Sequence, residues 1–317
     1  MSLPAYLGRR LLHGLALMLG VALLSFTLMV HFGPDQTFEQ LGKNPTAEEI
    51  AAVRQALGYD RPFLVRFGDW LGGLLRGDLG TSDANGENVS DLLGEAFPIT
   101  LALVIPGYVI GNVLGLLLGM LAAWNRGGAW DRIVLAGSVA GLSLSFLVII
   151  ILLQILLCTP YGLNLFPTRG WRVDGFSSYL LYVTVPTLSL VLVTLGYNTR
   201  FYRAVVLEEL GREHIRTAMA FGAGARIVLF SHVLRNSLVP VMTRLLYSIP
   251  LVIVSGSLLL ETYFGIPGVG KVTFDAITSG DQTVLLAVVT LTAILFVLVQ
   301  ILADTTCRLA DPRLGSQ

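Results

Sequence analysis

The chain has 317 residues, 54% of them hydrophobic and only 13% charged, with 21 basic side chains balancing 21 acidic ones. A mean hydropathy of +0.73 excludes an ordinary soluble domain, and zero net charge gives no footing for nucleic acid as a partner. Two cysteines without metal-type spacing and four histidines without an HExxH pair leave no metal site to expect.

A bilayer core takes roughly 20 apolar residues per helical crossing. Six windows are long enough, at residues 11–30, 98–124, 133–157, 180–198, 239–260 and 284–303. The expectation is an all-α polytopic membrane protein with six transmembrane helices. Arg9, Arg10, Arg244, Glu261 and Asp304 fall at window ends, where long side chains reach the interface. The first window is read as a permanent helix: it is too long for a signal peptide, and no small-residue cleavage site follows. Cytoplasmic N- and C-termini place Arg126, Arg132 and the arginines between 200 and 235 inside, leaving Arg169, Arg172 and Lys271 in the short outer loops. Cys158 and Cys307 then face opposite sides and cannot pair. The chain divides into a tail and first span (1–31), a folded extracytoplasmic segment (32–97) and a five-helix core (98–317) with a cytoplasmic loop at 199–238.

In the outer segment, Thr46 and Glu49 have capping-box spacing for a helix running to Leu57, with Gly58 as its stop. Pro62 suits a first helical turn, after which Phe63, Phe67, Trp70, Leu71 and Leu74 form an apolar stripe. That stripe either packs on the membrane or bundle, or meets a protein that delivers substrate. Trp70, Asp78 and Asp83 are the candidates for such a contact. In the second window Gly107, Gly111, Gly115 and Gly119 recur every fourth residue, an arrangement for close helix approach that Gly137, Gly141 and Ser145 repeat in the third. Pro106, Pro186, Pro240 and Pro250 lie in or beside spans, where they can kink a helix. Asn112, Gln154, Ser189, Thr194, Ser255 and Ser257 are the neutral polar groups inside windows; they either line a permeation route or bond helix to helix.

A basic, polar stretch from Thr199 to Leu238 interrupts the apolar pattern. Glu208 to Gly222 reads as a short amphipathic helix with Ile215, Ala218, Met219 and Phe221 among its apolar positions. A second helix from Ala225 carries Val228, Leu229, Val233 and Leu238 on an apolar face and runs into the fifth span. Such a hairpin either anchors topology with its face on lipid, or fits a partner's groove and acts as a lever. Further on, Gly265, Gly270 and Lys271 have phosphate-loop spacing, but Val272 stands where a magnesium-binding hydroxyl is required and no strand precedes, so this is a turn. No GxSxG turn appears, and the intramembrane serines lack a base, so no catalytic residue is assigned.

Glu213, Arg216, Thr217, Ala218 and Gly222, followed by Arg235-Asn236 and Pro240, resemble the cytoplasmic coupling loop of bacterial ABC-importer permeases. The narrower resemblance is to the first permease subunit of the dipeptide/oligopeptide/nickel family. It is carried also by LGYDRP (57–62), GDLGTS (77–82), GIPGVG (265–270), Ala276-Ile277, Asp281 and ADPRLG (310–315). Arg216-Thr217-Ala218 replaces the Glu-Ala-Ala triplet of the wider importer consensus, and proline is delayed from position 235 to Pro240, as in the peptide subfamily. Phe32-Gly33-Pro34-Asp35 departs from the usual Pro-Gly-Asp, and Gly280 from the usual charged residue.

The resemblance implies a type I importer architecture in a bacterial inner membrane. This chain would form half of a heterodimeric pathway with a second homologous permease, and an extracytoplasmic binding protein would deliver substrate. Two ATPase subunits would bind ATP and Mg and grip residues 209–238, with Glu213, Arg216, Thr217, Ala218, Gly222, Arg235 and Asn236 making or supporting that contact; no cofactor is expected in this chain. The alternative is a stand-alone secondary transporter. Dipeptide, oligopeptide, polyamine, nickel or another chelate, and glutathione all remain open as cargo.

Overall fold

The computed structural model describes residues 3–33, Thr37, 46–56 and 60–310, apart from the side chains of 3–7, Ala56, Ser255 and 308–310. The described residues form helices α1 (Leu3–Phe32), α2 (Ala47–Ala56), α3 (Phe63–Leu75), α4 (Val89–Trp124), α5 (Ala129–Ser143), α6 (Phe146–Cys158), α7 (Phe176–Leu210), α8 (Glu213–Ala220), α9 (Leu238–Leu251), α10 (Ser257–Phe264), α11 (Val269–Ser279) and α12 (Gln282–Ala310). None of these residues belongs to a strand. Five stretches are long and apolar enough to cross a membrane: Gly8–Phe32, α4, α7, Leu238–Phe264 and Gln282–Cys307. The fourth of these joins α9 to α10 through a π-helical turn, Val252–Gly256.

The third sequence window is not one straight span. It holds α5 and α6, bent by 99°, and counts as a sixth crossing when the pair is taken together. Ser143 Oγ donates back to the Val139 carbonyl at 2.9 Å, a bond that bends helices. Leu144 and Ser145 then adopt extended backbone, with ψ of 132° and 142°, which stops the hydrogen-bond ladder. It restarts where Ile149 N–H donates to Ser145 O.

The glycine row of the second span does what its spacing suggests. It faces α7, where a Cβ added at Gly119 would lie 2.8 Å from the Arg203 nitrogen and one at Gly107 would lie 2.9 Å from Leu190. The backbones of α4 and α7 therefore come close from Gly111 to Gly119. In the third window Gly137 and Gly141 make no such approach; there the close contact is Gly196 of α7 against the Ser138 carbonyl. Helices α4, α6 and α7 share one apolar cluster, built on Leu103, Val104, Ile150, Val185 and Leu190, which extends to Leu260, Phe264 and Ile266.

Outside the spans, the Thr46–Glu49 capping box forms as read. Thr46 N–H donates to Glu49 Oε2 at 2.8 Å and Glu49 N–H to Thr46 Oγ1 at 3.3 Å, holding the Glu49 carboxyl below its ordinary value. The expected end of that helix, Leu57-Gly58, lies outside the described residues, as do Pro34-Asp35 and 311–315. Pro62 stands at the N-cap of α3 rather than within it. The α3 stripe packs on the bundle: Phe63, Phe67 and Trp70 ring the buried Phe26 of α1 at centroid distances of 5.5–5.7 Å.

Two acids turn out to be buried: Glu261, read at a segment end, and Asp281, known from the sequence only as part of the resemblance. Glu261 is fully buried within the protein. It accepts from Thr100 Oγ1 (2.7 Å) and from the Lys271 N–H (3.1 Å), gripping the first turn of α11. Asp281 caps α12 by accepting from the Val284 N–H at 3.0 Å, and it also takes the Ser82 hydroxyl. Asp304 and Arg244 also find partners within the chain. Asp304 pairs with Arg10 at 2.9 Å, while the Arg244 guanidinium lies 4.2 Å over the Tyr197 ring.

Candidate coupling loop

An α-helix rises 1.5 Å per residue, so the 36 residues of α4 and 35 of α7 reach about 50 Å each, well beyond a hydrocarbon core of about 30 Å. Both must project from it. The ends of α4 and α7 at Trp124 and Leu210 carry a second apolar cluster of Met120, Ala123, Val206, Ile215, Val228 and Val233. Ile215 comes from α8, and Val228 and Val233 come from the segment that leads back to α9. The hairpin read at 208–238 is therefore seated on α4 and α7 by its apolar side.

Its first helix starts later than the sequence suggested. Tyr202, Val206 and Glu209 occupy one buried face of α7 at four- and three-residue steps, so Glu208 to Leu210 simply prolong that helix. The chain turns at Gly211, and α8 runs only from Glu213 to Ala220. It ends in a Schellman motif: Ala223 N–H donates to Ala218 O and Gly222 N–H to Met219 O, with Gly222 at φ +85°. A left-handed residue with a side chain costs about 1–2 kcal/mol there, which glycine avoids. The return segment is helical over Ala225–Ile227, π-helical over Val228–Val233 and helical again over Leu234–Asn236.

Glu213, Arg216, Thr217 and Gly222 point to the exposed side of the hairpin, Ala218 is half-buried, and Phe221 is 88% exposed at its tip. Of the expected apolar positions, Ile215 is fully buried, Val228 and Val233 are buried, Leu229 is partly so, and Leu238 and Met219 are exposed. Arg235 is exposed. Asn236 is exposed as well, but its amide donates to Glu209 Oε1 at 3.0 Å and lies 2.9 Å from His214 Nε2. Glu209 was not singled out in the sequence; the available signal was an acid continuing an otherwise apolar helix face. A further unforeseen tie sits nearby: Asp131 of α5 pairs bidentately with Arg203 of α7, at 2.7 and 2.8 Å.

The other predicted positions fall elsewhere. Asn112 is buried between α4 and α7 and accepts from Asn198 (3.1 Å) and Tyr202 (2.8 Å). Ser189, Thr194 and Ser257 donate to carbonyls of their own helical segments, and Gln154 donates to Thr168 O at 2.7 Å. The Ser255 side chain is outside the described residues. Trp70, Asp78 and Asp83 do come together. They line a polar cleft of about 840 Å³ between the end of α1, α3 and the start of α12. Asp83 also accepts from the Thr283 N–H and hydroxyl at 3.0 and 3.1 Å.

Residues 115–316 match the family described as binding-protein-dependent transport system inner membrane component, and residues 3–104 match the family of its N-terminal part. Full-length relatives agree. A probable peptide ABC transporter permease of Sinorhizobium fredii is 32% identical over 312 residues, 98% of each chain. A di/tripeptide transport system permease of Pseudomonas aeruginosa is 30% identical over 99% of each chain. An oligopeptide transport system permease of Mycobacterium bovis is 30% identical over 97% of this chain and 98% of its own. With its apolar helices and this match over nearly its whole length, the chain belongs to the binding-protein-dependent transport family and is a multi-pass inner-membrane permease subunit of an ABC importer.

Proposed function

We propose that this permease forms half of a pathway for peptides or related small solutes and is driven by two ATPase subunits that grip residues 209–238. Relatives named for peptide, di/tripeptide and oligopeptide transport support the cargo class. The observation that carries the coupling role is the seating of α8. Ile215 pins it to the ends of α4 and α7, while Glu213, Arg216, Thr217 and the turn at Gly222 stay open to a partner. Cytoplasmic termini put that hairpin on the ATP side, and ATP and Mg reside on the partners. A second homologous permease completes the pathway, and a binding protein meets the outer segment 32–97 around the cleft of Trp70, Asp78 and Asp83. Closure of the ATPase pair would swing α7 and the Leu238–Phe264 span together, alternating access.

In the reconstituted complex, Gly222→Asp or Arg216→Glu is expected to leave assembly intact and to abolish ATPase activity linked to transport. Wild-type linkage in either variant overturns the coupling role. Cargo movement by the isolated chain under an ion gradient, with no ATPase present, would establish the secondary-transporter alternative instead.

A further inference from the structure

A loop that relays force has to be stiff at its base, and this one contains Gly211, Gly222 and Gly224, three places where a push could be lost. The chain closes the base with a side-chain cluster. Glu209, on the last turn of α7, is only 4% exposed. Its Oε2 lies 2.9 Å from Arg212 Nε at the N-cap of α8. Its Oε1 accepts from Asn236 Nδ2 at 3.0 Å and lies 3.2 Å from His214 Nε2 in the first turn of α8. Asn236 and His214 also meet, at 2.9 Å. Asn236 ends the return segment, two residues before α9 begins. One carboxylate thus gathers the end of one span, the start of the coupling helix and the approach to the next span.

Burial makes that gathering selective. A carboxylate shut off from water must take its hydrogen bonds from protein, so each donor is held in place by the others. The apolar cluster of Val206, Ile215, Val228 and Val233 seats the same three segments, so the polar clasp and the apolar seat act on one unit. We propose that Glu209 is a positioning residue that locks α7, α8 and α9 into a single lever, so that displacing α8 moves both flanking spans at once. This rests on the reading of α8 as the ATPase-docking helix.

The test uses the full complex of both permeases, ATPase subunits and binding protein in liposomes, scored as cargo moved per ATP hydrolysed. Phe221→Cys crosslinking to an ATPase subunit reports docking separately. Glu209→Ala is expected to keep the crosslink while the transport-to-hydrolysis ratio falls on the order of tenfold, within the usual span of coupling between sites. Glu209→Gln, which keeps an acceptor for Asn236 but loses the ion pair with Arg212, should fall less and serves if the alanine variant does not assemble. Exchanging the charges of the pair that glutamine breaks, Glu209→Arg with Arg212→Glu, should restore part of the ratio; a merely structural site would show its recovery in assembly alone. An unchanged ratio in an assembled Glu209→Ala or Glu209→Gln complex, or no recovery in the exchanged pair, overturns the clasp. Failure of Phe221→Cys to crosslink in an otherwise native chain overturns the docking reading instead.

Discussion

The two faces of this permease secure their non-membrane segments by different chemistry. On the face that carries 60–88, two acids cap the start of α12, Asp281 buried and Asp83 exposed, each taking a main-chain donor there and a hydroxyl besides. Asp281 accepts from Val284 N–H and Asp83 from Thr283 N–H, so the segment is fastened to the first turn of α12. At the hairpin face, Glu209 is held by side chains, those of Arg212, His214 and Asn236. A helix cap fixes one place with one geometry. A bond between side chains on different segments lasts only while those segments stay in register. The first arrangement suits a platform, the second a moving part.

The contrast can be broken most sharply at Ile215. Its replacement by alanine removes a fully buried side chain and should cost about 2–5 kcal/mol. Amide-exchange protection across 213–223 should fall by tens-fold while 60–88 stays as it was; equal protection in both regions would show that the apolar seat does not hold α8. Next in size is Asp281→Ala, which strands the Val284 N–H and the buried Ser82 hydroxyl, at about 1–3 kcal/mol. Protease nicking should then appear between 76 and 88, with the hairpin unchanged. Nicking at the hairpin as well would erase the distinction between the faces.

The smallest effect concerns Glu49. Its carboxyl is held below the ordinary value, first by the Thr46 backbone N–H and then by the Thr46 hydroxyl. A depressed folded value means its contribution is present above the unfolded carboxylate value of about 4.3 and fades as pH falls through the folded one. Protection of α2, corrected for intrinsic exchange, should therefore drop at acid pH, and Glu49→Gln, which has no proton to take up, should remove that pH dependence.

Helix number and type were legible because hydropathy at bilayer length is a strong pattern, and the glycine row of α4 read correctly because four-residue spacing has one geometric meaning. The bend at Leu144-Ser145 was hidden, since nothing in an apolar run announces two extended residues. The start of α8 was misplaced because Glu208 and Glu209 satisfy the helical pattern of either element. Glu261 could be read only as an end residue and Asp281 only through the resemblance, because their partners, Thr100 and Ser82, are more than 160 positions away. The exposed residues of α8 were nameable from their resemblance. The clasp beneath them was not, because it joins positions 27 apart.

The 99° bend between α5 and α6 carries one more consequence. At 15 and 13 residues, these half-helices rise about 22 and 20 Å, so neither crosses the hydrocarbon alone. Counted together as one crossing, the pair leaves the peptide groups of its elbow within the hydrocarbon, where acyl chains offer nothing to bond with. Leu144 and Ser145 are uncovered in the single chain, so oil cannot be what surrounds them in the working assembly. That flank of the subunit must be sheathed by other protein or wetted by the channel itself.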